Sequence, residues 1–214
     1  MNDKNHYSKA NIFFNEFYRL ISKELCKKGI ENKYKYDRSW TSIMTGEKER
    51  SKKNLYPSAS YGIIGETIKG VFGDKIEIAK EYYRIDMIGY FNKKDNLPLN
   101  SKHMKKYYWD FAVAIEHENK SRDWLDEVCK LSYIRCPLRV IISYNVPDKD
   151  DALKDASKIL KTTNAFTDKE QEFLIILGKN ANNFSRDQLY KGYLLNLEKI
   201  NSGFENIIAL TEHK

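Results

Sequence analysis

The chain has 214 residues, 41% of them hydrophobic, enough for one sizeable core, and a formal charge of +7 with a pI near 9.0, a moderately basic balance that fits a polyanionic partner without requiring one. Its three cysteines, Cys26, Cys129 and Cys136, form no Cys-x-x-Cys pair, which argues against a disulfide framework and a zinc site and points to a reducing, cytoplasmic setting. The start of the chain is polar and charged, unlike a signal peptide, and no apolar run approaches the roughly 18 residues that span a bilayer, so neither export nor membrane insertion is expected.

From Ser8 to about Lys28, the positions Ile12, Phe13, Phe17, Leu20, Ile21 and Leu25 recur at helical spacing, which predicts an amphipathic helix capped by Ser8 and stopped by Gly29. Residues 31 to 56 are rich in Lys, Tyr, Ser and Arg without a clear period and read as a mobile or ligand-ordered segment. Most of the basic surplus falls at this end, where residues 1–56 hold 13 Lys and Arg against 7 Asp and Glu. After Pro57 a second helix is expected over Ser58 to Phe72, with Ile64, Ile68 and Val71 on one face and Gly73 as its stop.

Strands follow at about Lys75 to Ala79, Tyr82 to Tyr90 and Tyr107 to Glu118, with a polar, basic loop between the last two that carries Lys93, Lys94, Lys102, Lys105 and Lys106. Ser121 is placed as the cap of a helix from Arg122 to Tyr133. Leu138 to Tyr144 reads as a buried strand, Asp150 to Lys161 as a helix, Phe173 to Leu177 as a second buried strand, and Tyr193 to Glu198 as an edge strand. The expectation is α/β with a central mixed sheet flanked by helices, in one domain: a basic N-terminal helix and segment over 1–56, a core over 58–145 and an α/β extension over 146–214.

Two segments carry the chemistry. Tyr83-Arg84-Ile85-Asp86-Met87-Ile88-Gly89-Tyr90 contains an isolated acid, and the apolar run Phe111 to Ile115 ends abruptly in Glu116-His117-Glu118-Asn119-Lys120. Alternation along a strand puts Glu116, Glu118 and Lys120 on one face and His117 on the other, and a neighbouring strand can bring Asp86 beside them. Carboxylates gathered in this way repel one another unless a cation neutralises them, and hard oxygen ligands suit Mg²⁺ or Mn²⁺.

The order helix, β-meander carrying Asp and then Glu-x-Glu or Glu-x-Lys, helix, strand resembles the core of the PD-(D/E)XK, or restriction-endonuclease-like, nuclease superfamily, over roughly residues 58 to 145. The resemblance implies a restriction-endonuclease-like core, a Mg²⁺-dependent endonuclease of restriction, defence or repair type, and DNA as the partner, with RNA chemically admissible and a homodimer compatible with the size. It implies Asp86 and Glu116 as metal ligands, the backbone carbonyl of His117 as a further one, and Glu66 on the second helix as an outer ligand. Two registers remain for the motif. In the favoured one Glu116 and Glu118 are ligand and water-directing carboxylate with Lys120 near the phosphate; in the other Glu118-Asn119-Lys120 is the Glu-x-Lys triplet. No Pro precedes Asp86, and the gap from Asp86 to Glu116 is longer than in a tight meander.

Phosphates would be met by Lys93, Lys94, Lys102, Lys105, Lys106 and Arg122, with Lys130, two turns beyond Arg122, a secondary candidate for the same cleft. Tyr34, Tyr36 and Trp40 are available for stacking on bases. The competing expectation is a non-catalytic nucleic-acid-binding or assembly protein on the same fold, whose binding would be indifferent to chelator.

Overall fold

The longest apolar runs of the chain become the middle of a seven-stranded sheet whose strands lie side by side in chain order. The structure, a computed structural model, describes residues 8–27, 38–46, 61–93, 109–119, 122–144, 146, 148–178, 190–202 and 208–210. Helices α1 (Lys9–Lys27), α2 (Arg38–Thr45) and α3 (Gly62–Phe72) precede a meander of β1 (Glu77–Tyr82), β2 (Ile85–Asn92) and β3 (Trp109–Glu118). Then come α4 (Trp124–Ser132), β4 (Leu138–Tyr144), α5 (Lys149–Thr162), β5 (Glu172–Gly178), β6 (Tyr190–Asn196), α6 (Leu197–Ser202) and β7 (Ile208–Leu210). The two connections that carry α4 and α5 make β3, β4 and β5 parallel, and every other neighbouring pair is antiparallel.

The sheet is covered on both faces. Phe13, Phe17 and Ile21 of α1, Met44 of α2 and Ile64 and Ile68 of α3 pack with Met87, Val113, Ile115, Val140 and Ile142 on one side. On the other, Trp124, Val128 and Leu131 of α4 and Leu153, Ala156 and Leu160 of α5 pack with Ile88, Ala114, Ile141, Phe173 and Ile175. Central strands buried on both faces have no polar side to show, which is why β4 and β5 read as unbroken apolar runs. Arg139 is the exception inside β4: its guanidinium is wholly buried, donates to the Ala165 carbonyl at 2.6 Å and lies 4.7 Å from the Phe166 ring.

The α/β class, the mixed sheet and most elements match the sequence reading, and three local differences have physical causes. Residues 31–56 were expected to lack regular structure, yet α2 lies within them, held by burial of Met44 and by backbone contact with α3. A Cβ on Gly62, whose φ is +63°, would fall 2.5 Å from the Gly46 nitrogen, so the two helices meet where only glycine fits. The meander turns three residues later than expected, since Tyr82 pairs with Ile85 and leaves Tyr83-Arg84 as a two-residue turn with φ of +48° and +66°, a conformation that Asn-Gly normally supplies and that no residue here announces. β6 is not an edge strand, because β7 pairs with its outer side. The Gly29 stop and the Ser121 cap lie outside the described residues, whereas Ser8 does cap α1, its Oγ accepting from the Asn11 N–H at 3.1 Å.

The seat of β2 depends on Gly89. A Cβ there would meet Ile68 Cγ2 at 2.8 Å, Ile76 Cδ1 at 2.9 Å and Val113 Cγ1 at 2.9 Å, so α3 approaches the sheet more closely than a side chain allows. Gly89→Ala is expected to lower stability by about 1–3 kcal/mol, the usual cost of overpacking; a denaturant midpoint equal to wild type would contradict this packing.

Candidate functional site

β2 and β3 run antiparallel with Met87 opposite Ile115, and one further step along that register sets Asp86 against Glu116. The carboxylates separated by 30 positions in the chain thus become cross-strand neighbours at the carboxyl end of β3, the end of parallel strands at which α/β sheets commonly bind ligands. Asp86 is held in place from below: its Oδ2 accepts the His117 N–H at 2.9 Å. Across the first hairpin, Lys80 opposite Met87 and Tyr82 opposite Ile85 set Glu81 against Asp86, so Glu81, Asp86 and Glu116 form one acidic row.

The row meets a cation from the helix layer. Lys130 Nζ lies 2.7 Å from Glu116 Oε1, donates to the Arg84 carbonyl at 2.8 Å and also pairs with Glu127, one turn back on α4. Lys130 thereby ties α4, the β1–β2 turn and β3 together. It is the ammonium that the sequence reading placed on Lys120, and in sequence its only signal is a charged pair, Glu127 and Lys130, bordering the buried stripe of Val128 and Leu131.

Burial sets the electrostatics. Glu116 is only 2% exposed; desolvation, then the nearby Asp86 and Glu127 charges, push its pKa up to about 8 against the pull of Lys130. Asp86 is also raised, first by desolvation and then by Glu81 and Glu127, with the His117 N–H and Lys130 acting in the opposite sense. Burial by itself would lower Lys130, but Glu116 and Glu127 carry it above its ordinary value.

His117 alternates to the opposite face, where its Nε2 is 2.9 Å from the Tyr144 hydroxyl and burial drops its pKa to about 4. Its side chain is a neutral core group; its contribution to the carboxylates is the peptide N–H. Glu118 shares the face of Glu116 and ends β3, opposite Ser143 of β4. Glu66 is exposed on α3, and the buried residues of that helix pack on the other face of the sheet from Asp86 and Glu116, so the outer-ligand expectation is not met by this geometry.

Of the expected phosphate contacts, Lys93 pairs with Asp110 at 2.7 Å beyond the far end of β2, roughly 20 Å along the strand from Asp86. Arg122 is exposed in the connection before α4 and pairs with Asp123 at 3.3 Å. Lys94, Lys102, Lys105, Lys106 and Lys120 lie outside the described residues, as do Tyr34 and Tyr36. The basic N-terminal segment does reach this end of the sheet through α2, for Asn119 Nδ2 donates to Thr41 Oγ1 at 2.7 Å. A surface cleft of about 340 Å³ with walls of mixed charge opens at the other end of β3, by Trp109, Phe111 and Arg135.

Among the described residues no three His, Cys, Asp or Glu groups converge as a ready ligand set, and no helix is long and apolar enough to cross a membrane. Comparison with known proteins yields no matching family model, no matching curated protein and no matching solved structure.

The buried carboxyl has a measurable signature. A folded-state pKa raised from 4.5 to about 8 gives stability that is complete below pH 4.5 and is lost as pH rises through 8. In chelator, Glu116→Gln should gain thermal stability relative to wild type between pH 5 and pH 8, by on the order of a few degrees. A pH-independent difference in melting temperature would contradict this environment for Glu116.

Proposed function

We propose that this chain is a metal-dependent nuclease with a restriction-endonuclease-like core, hydrolysing phosphodiester bonds in DNA, with RNA as the chemically equivalent alternative. The observation that carries the reading is the pairing of Asp86 with the buried Glu116 across two antiparallel strands, with Lys130 Nζ 2.7 Å from Glu116. The succession α3, meander, α4, β4 agrees with the expected core order, and the net charge of +7 suits a polyanionic substrate.

The donor set fits a hard divalent ion. Asp86 and Glu116 offer carboxylate oxygens from adjacent strands, and Mg²⁺ commonly takes one or two carboxylates while keeping several waters. Bound there, Mg²⁺ or Mn²⁺ would supply Lewis acidity toward the phosphoryl oxygens and activation of water. The protein's own residues supply the rest. The His117 N–H fixes the Asp86 carboxylate, so the site is set before substrate arrives. Lys130 neutralises one carboxylate and offers an ammonium to charge developing on phosphorus. Glu118, on the same face and one strand period further on, is the residue to orient the attacking water, the role that Lys120 fills in the alternative register.

Incubation of supercoiled plasmid, single-stranded DNA and RNA with Mg²⁺, Mn²⁺ or EDTA tests this directly. Wild type should cleave only with metal; Asp86→Ala and Glu116→Ala should abolish cleavage while remaining folded, and Lys130→Ala should slow it roughly a hundredfold. Metal-dependent cleavage that survives both carboxylate replacements would refute the assignment. No cleavage under any condition, with DNA binding retained in EDTA, would favour the non-catalytic binder.

A further inference from the structure

Two exposed tyrosines flank Lys130. Tyr83 is 78% exposed at the β1–β2 turn, next to the Arg84 whose carbonyl Lys130 holds, and Tyr133 is 69% exposed one turn beyond Lys130 at the end of α4. Among the described residues the other large apolar side chain so exposed is Ile12 of α1, in the opposite layer. Tyr83 has an exposed arginine beside it, Arg84.

Tyr83 is also the outer end of an aromatic array. Its ring packs edge-on to Tyr82 at 4.7 Å, Tyr82 lies 5.1 Å from Trp109 and 5.5 Å from Phe111, and Trp109 stacks on Tyr90 at 3.9 Å. The turn that presents Tyr83 is strained, with Glu81, Tyr83 and Arg84 all at positive φ where glycine or asparagine would be free of the cost. Such strain persists where the surroundings impose it, and it gathers at working sites.

We propose that Tyr83 and Tyr133, with Arg84, form a stacking surface that makes the site selective for an unpaired nucleic-acid strand. A tyrosine ring stacks on the face of a base only where that base has left its neighbour, and stacking accepts any base sequence. The Arg84 guanidinium meets the phosphates between the stacked bases. The surface adjoins Lys130, which also contacts Glu116. This assignment rests on the nuclease reading for its outcome but not for its binding step.

Binding in EDTA separates the two. Fluorescence anisotropy with a labelled 30-nucleotide single strand and the corresponding duplex should show the single strand bound at least about tenfold more tightly. Tyr83→Ala and Tyr133→Ala should each weaken single-strand binding by about fivefold to a hundredfold, Tyr83→Trp should restore it, and Ile12→Ala should match wild type. Replacing Tyr83-Arg84 by Asn-Gly should raise the melting temperature by relieving the turn and still lose binding, a combination that a purely structural role does not produce. Equal or tighter duplex binding, no binding to either, or tyrosine variants indistinguishable from Ile12→Ala would overturn the proposal. Single-strand binding that depends on both tyrosines, in a protein that cleaves nothing, would support the surface and count only against the nuclease.

Discussion

An ionised carboxylate drawn into the layer between a sheet and a helix costs several kcal/mol unless a partner compensates it, and Glu116, 2% exposed between β3 and α4, imposes that requirement on everything around it. Lys130 answers from α4, and its other contacts draw in the Arg84 carbonyl and Glu127. Asp86 adds a second negative charge from β2, seated by the His117 N–H. Ionised together, the carboxylates of Asp86, Glu116 and Glu127 would face one ammonium with an excess of negative charge, inside a chain whose overall balance is +7, and the raised pKa of Glu116 reflects that conflict. That local inversion of sign is what a divalent cation would relieve.

The fold keeps this cost confined. β3 is apolar from Ala112 to Ile115 and anchored on both faces, so the strand can carry polar residues at its carboxyl end without losing its place in the sheet. The opposite face behind the carboxylates is closed by the His117–Tyr144 pair and by the T-shaped contact of Tyr144 with Tyr190. A rigid back wall and a polar front are the conditions under which neighbouring charges hold a fixed geometry.

Much of this was legible in the residues and some was not. The abrupt change from Ala114-Ile115 to Glu116-His117-Glu118 marked the end of a buried strand, and alternation correctly put His117 on the other side from Glu116. Asp86 was singled out because it interrupts an otherwise apolar stretch. Glu66 shows the limit of that approach: its helix forms as expected, but the layer in which the helix packs decides which face of the sheet a side chain can reach. Lys130 was legible only as a secondary candidate for the cleft, since a lysine at the border of an amphipathic stripe acquires its carboxylate partner only when the helix is laid against β3. α2 and β7 were invisible because short elements owe their existence to neighbours rather than to a period of their own.

The sequence by itself determined the α/β class, the buried strands, the long helices and the position of the acidic break, because hydrophobic periodicity and strand alternation are local properties of the chain. Only the tertiary structure decided which charges meet. The register of β2 on β3 brings Asp86 to Glu116, the packing of α4 brings Lys130 to both, and a turn held at positive φ without glycine brings Tyr83 to the rim. The first two are contacts between residues distant in the chain, set by how whole elements pack, and none of the three is carried by a local pattern.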